Sequence, residues 1–132
     1  MIIIAFVYHC ISRSLAAKLM RGVADRDLRN RFDSVPDGLL ENAVRRVYNT
    51  AGRRQVVDIQ SLDNGFYVRT FHCHFKVLCE RYKMADLTGV LCEADRAYWD
   101  ARLGKRFSKD SQFERQDGCC EMRFVTKDEK QL

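Results

Sequence analysis

The stretch RQVVDIQSLDNGFYVRTFH, residues 54–72, decides the fold. Two runs rich in β-branched and aromatic residues flank Asp63-Asn64-Gly65, and Asn-Gly is the strongest short signal for a tight β-hairpin. With Asn64 and Gly65 as the loop, Val57, Ile59 and Ser61 share a face with Phe66, Val68 and Thr70. That face is apolar enough to be the core side. Strands joined by a tight turn are antiparallel.

The same pattern returns downstream. RFSKDSQFER (106–115) and CCEMRFVT (119–126) flank Asp117-Gly118, a second hairpin signal. A two-residue loop there sets Arg115 opposite Cys120, Phe113 opposite Met122, Ser111 opposite Phe124 and Glu114 opposite Glu121. Cys120, Met122, Phe124 and Phe113 then form the buried face, and a guanidinium across the ladder favours the Cys120 thiolate.

Helical periodicity fills the rest. Residues 11–31 carry Leu15, Leu19 and Val23 at helical spacing, and DSVPDG (33–38) interrupts them. Asp37 can cap the next helix, where Leu40, Ala43, Val44 and Val47 fall on one face, with Gly52 ending it. HFKVLCERYKM (74–84) has a stripe of Phe75, Leu78, Cys79 and Tyr82. A further helix runs from Asp86 to about Gly104 on Leu87, Val90, Leu91, Ala94 and Tyr98. The order helix, helix, hairpin, helix, helix, hairpin predicts one α+β domain over 1–132. It comprises N-terminal helices (1–52) and a hairpin-helix-helix-hairpin core (53–126), with an antiparallel sheet of about four strands covered by helices.

The apolar opening MIIIAFVYHCISRSLAAKLM has no basic residues ahead of it, so a buried N-terminal helix or strand is favoured over a secretory signal. A cytoplasmic location follows, with the six cysteines mostly as free thiols. The net charge of +5 comes from basic residues spread among acids, which describes a solvated surface rather than a nucleic-acid interface. No run is long enough to span a membrane. The expected partner is a small-molecule substrate, and the sequence allows a homo-oligomer.

The chemistry concentrates in the cysteines. On the helix from Asp86, Thr88, Cys92, Asp95 and Trp99 form a second stripe beside the apolar one. Cys92 and Asp95 are neighbours there. They suit either a cleft wall, with a thiol nucleophile beside a carboxylate for proton transfer, or a small buried residue next to an Arg-paired acid. Cys73, between His72 and His74, could join His74, Cys92 and Cys120 around zinc. The chain has no C-x-x-C or H-x-x-x-H pair, so the reading without metal or other cofactor stands first. Cys10 and Cys79 look like plain core residues. No phosphate loop or G-x-S-x-G occurs.

Cys73 after a strand, then LCEADRAYW (91–99), then Cys120-Glu121-Met122-Arg123-Phe124 closing a hairpin: this progression resembles the L-2-amino-thiazoline-4-carboxylic acid hydrolase family over residues 65–126. Glu121 and Met122 replace an Asp and an aromatic usual there. The resemblance implies hydrolytic opening of a small ring at its C=N carbon. Together with the helical geometry it makes Cys92 the nucleophile, Asp95 the acid/base and Cys120 a second site thiol or ligand. Arg69 or Arg115 would hold the substrate carboxylate, and Trp99 would contact the substrate. The alternative function is a non-catalytic small-ligand or zinc-binding module.

Overall fold

The computed structural model describes residues 1–51, 57–71, 74–111 and 120–127. Two helices open the chain, α1 (Ile2–Cys10) and α2 (Arg13–Phe32), and a 3-10 turn at Asp37–Leu39 leads into α3 (Leu40–Ala51). The hairpin β1 (Val57–Leu62) and β2 (Gly65–Thr70) follows, then α4 (His74–Arg81), α5 (Thr88–Leu103), β3 (Phe107–Ser111) and β4 (Cys120–Val125). The four strands form one antiparallel sheet in the order β1-β2-β4-β3, so the chain is an α+β protein, with three helices rather than the expected two ahead of the first hairpin. Among the described residues no helix is long and apolar enough to cross a membrane.

The first hairpin has the expected core face but not the expected register. Ile59 faces Val68 and Leu62 faces Gly65, which leaves Asp63 and Asn64 as the loop. Gly65 therefore sits inside β2, and the reason lies across the ladder. A Cβ built on Gly65 would stand 1.9 Å from the Phe124 carbonyl oxygen of β4, so glycine is needed for close approach of the strand rather than for the turn. Phe66 and Phe124 follow at once, their rings stacked with centroids 4.6 Å apart.

In the second hairpin β3 is displaced by four residues from the expected pairing. Phe107 faces Phe124, Lys109 faces Met122, Asp110 faces Glu121 and Ser111 faces Cys120. A shift of four preserves which residues point inward. Ser111 takes the place expected of Arg115 opposite Cys120, and Lys109, already of inward parity, comes to stand opposite Met122. The intervening Asp117-Gly118 turn lies outside the described residues.

The inner face of the sheet packs on Phe32, Leu40, Val44, Tyr98 and Trp99. A second core joins α1 and α2 to the start of α5, through Ile4, Tyr8, Met20, Met84 and Leu91. Four expectations about the N-terminal half need correction. Leu15, Leu19 and Val23 are 40–60% exposed, and α2 buries Ala16 and Met20 instead, because α1 seats against the small side chains. Within α1, Ile4, Ala5, Val7 and Tyr8 are buried, whereas Ile2, Ile3 and Phe6 face outward. Cys79 is fully buried as expected, but Cys10 is exposed. The cap position of the 3-10 turn falls on Pro36, with Asp37 inside the turn, and the Asp37 carboxylate pairs with Arg102 and Arg106 at 3.2 Å each.

Candidate functional site

A cavity of about 380 Å³ opens between the helices and the inner face of the sheet. Helix α5 contributes Cys92, Asp95 and Trp99, and the sheet contributes Thr70, Lys109, Cys120, Met122 and Phe124. Mostly apolar side chains of α2, α3 and α4 close the other sides, with Asp27 and Arg31 of α2 among them. The stripe of Cys92, Asp95 and Trp99, spaced three and four residues apart, thus faces the pleat positions that carry Cys120 and Lys109. Periods of 3.6 and 2 bring distant thiols to one space.

Lys109 is the group that organises the polar side. Its side chain is 4% exposed, and its Nζ donates to Asp95 Oδ2 at 2.8 Å and to the Cys92 carbonyl at 3.4 Å. Burial pushes the ammonium toward neutrality. The attraction of Asp95, then of Cys120, the hydrogen bond to Asp95 and the attraction of Cys92 outweigh it and hold the lysine above its usual range. Lys109 is therefore a cation at neutral pH. The other Asp95 oxygen accepts from Trp99 Nε1 at 3.2 Å, so the carboxylate is fixed at both ends, and each oxygen keeps a further lone pair for a proton.

The indole of Trp99 is itself held by aromatic neighbours. Its ring lies 5.0 Å from Phe32 and 5.0 Å, edge-on, from Phe124. Such contacts fix the rotamer and with it the direction of the N–H toward Asp95. At the rim, Arg31 pairs with Asp27 at 2.9 Å, with both side chains about half exposed.

Of the residues expected at the site, Cys92, Asp95, Trp99 and Cys120 line this one cavity. Arg69 is elsewhere. It pairs across the ladder with Glu121 at 2.7 Å, and strand alternation puts both on the face opposite Cys120 and Met122. Arg115, Cys73 and the side chain of His74 lie outside the described residues. Among the described residues no three His, Cys, Asp or Glu side chains converge as metal ligands would.

Lys109 is the residue that sequence reasoning missed. Its signal was present in the alternation: Phe107, Lys109 and Ser111 share the parity of the buried face, and a lysine at such a position calls for a buried carboxylate. Compared with models of known families, with curated proteins and with solved structures, the chain matches none of them.

Proposed function

We propose that the protein is a thiol-dependent hydrolase that opens a small cyclic C–N substrate of the 2-amino-thiazoline-4-carboxylate type. The observation that carries this reading is the convergence of Cys92, Asp95 and Cys120 on one cavity beside a buried, charged Lys109. An ammonium in a site shielded from water favours the thiolate over the thiol, and the thiolate is the nucleophile.

The reaction then runs with Cys92 as nucleophile. Its S–H proton passes to Asp95, the thiolate held beside Lys109 bonds to the electrophilic C=N carbon, and Asp95 delivers that proton to the ring nitrogen. The ring C–S bond breaks and its sulfur leaves as a thiolate. Water adds to the same carbon and displaces Cys92; of the two hydrogens of that water, one protonates the departing ring sulfur and the other returns to Cys92. The net change is addition of one water. Lys109 stays protonated throughout and stabilises each anionic sulfur, while Cys120 flanks the reacting carbon as a second thiol. All four groups belong to one chain. A Cys92 nucleophile needs a reducing compartment such as the cytoplasm.

The test is hydrolysis of 2-amino-thiazoline-4-carboxylate by the wild type and by Cys92→Ala, with products identified by mass spectrometry. Turnover that disappears in Cys92→Ala is the expected result. Turnover that persists would remove Cys92 from the mechanism, and no turnover in either protein would remove this substrate. One observation favours a second reading, a binding pocket without turnover: Asp95 already accepts from Trp99 and Lys109, as a purely structural carboxylate would.

A further inference from the structure

The cavity is larger and more apolar than the bare ring requires. At the packing density of protein interiors a non-hydrogen atom occupies on the order of 20 Å³, so 2-amino-thiazoline-4-carboxylate, with nine such atoms, fills about 180 Å³ of the roughly 380 Å³ present. The surplus is mostly apolar. Thiol groups and the Lys109–Asp95 pair enter from α5, β3 and β4, and the Asp27–Arg31 pair of α2 stands at the rim. The opposite walls are Leu28 and Phe32 of α2, Val44 and Val47 of α3, and Leu78 of α4. Val44 is 2% exposed and Phe32 4%, and both belong to the main core.

Resting on the hydrolase reading of the same cavity, we infer that the substrate carries an apolar arm, an aryl or branched alkyl group, on the ring that reacts at Cys92. The polar ring meets Lys109 and the thiols, and the arm lies against α2 and α3. A bare zwitterionic ring would leave the apolar walls without contacts and turn part of its own polar surface toward carbon, and both effects oppose binding. An apolar-bodied ligand with a few polar groups at one end is also the usual occupant of a site of this size.

Binding and turnover are to be measured separately on the wild type, by calorimetric titration and by mass spectrometry, with 2-amino-thiazoline-4-carboxylate and with its 5-phenyl derivative. Burial of a phenyl group in an apolar pocket gives a dissociation constant at least tenfold lower for the derivative. Leu28→Trp, which fills the arm's position from a partly buried site, is expected to abolish that preference. Tighter binding of the derivative with no turnover of either compound keeps the apolar arm and ends the hydrolase reading. Turnover of both at equal kcat/KM keeps the hydrolase and overturns the apolar arm. Equal or weaker binding of the derivative, or no binding of either compound, also overturns it.

Discussion

Lys109 stands opposite Met122 in the ladder, and among the described residues the carboxylate that answers its charge is that of Asp95. Asp95 is 18% exposed against 4% for Lys109, so both charges are largely removed from water, and each depends on the other. Removing one member of such a pair costs more than the pair contributes, because the remaining ion is stranded. Lys109→Met should therefore cost about 3 kcal/mol in urea unfolding, and Lys109→Met with Asp95→Leu should recover much of that. The sequence made Cys92, Asp95 and Trp99 legible as one stripe because helical spacing is local. It hid the partner of Asp95, since the pairing of β3 with β4 is set across a turn whose length the residue pattern does not fix.

At the scale of elements, two contacts hold the cavity walls in place. Gly65 lets β2 and β4 approach, and Gly65→Ala puts a methyl group 1.9 Å from the Phe124 oxygen. The clash is with backbone and cannot be relieved by a rotamer change, so the expected loss is about 3 kcal/mol, read as a lower urea midpoint. The second contact is Arg102 of α5. Its guanidinium donates to the Phe32 carbonyl at 2.5 Å, to the Val35 carbonyl and to Asp37 at 3.2 Å, tying α5 to the segment between α2 and α3. Arg102→Met should cost about 2 kcal/mol by leaving those carbonyls without their charged donor. The Asn-Gly signal announced the hairpin and its inward face correctly, yet Gly65 serves the neighbouring strand. Local turn chemistry could not show that, because the demand for glycine comes from a strand more than fifty residues away. Leu15, Leu19 and Val23 show the same limit: the spacing of large apolar residues marked a helix, whereas α1 chose the alanine-bearing face.

At the scale of the whole molecule, three buried or bridging groups among the described residues titrate late. Tyr8 is raised by its hydrogen bond to Asp86 and by burial, Tyr98 by burial and by its hydrogen bond to Asp33, and Lys109 by its carboxylate and thiol neighbours against the effect of burial. Each keeps its proton longer in the folded chain than in the unfolded one. Their contribution to stability is complete below the ordinary values of 10.0 for tyrosine and 10.5 for lysine and is lost as pH rises through the raised ones. Unfolding free energy should hold steady toward pH 9 and fall steeply above about pH 10, followed by urea titration across that range. The α+β architecture was legible because two turn signals and four helical stripes agree with one another. The cavity was not, since it exists only where α2, α3, α4 and α5 meet the sheet. The measurement that bears most directly on a lysine-poised thiol is the rate of iodoacetamide alkylation of each cysteine near neutral pH, resolved by mass spectrometry, in the wild type and in Lys109→Met. The exposed Cys10 serves as the reference thiol within the same chain. A poised site makes Cys92 react faster than Cys10 despite its lower exposure, and slows it at least tenfold in folded Lys109→Met. Cys92 reacting no faster than Cys10, at a rate unchanged by Lys109→Met, would contradict it.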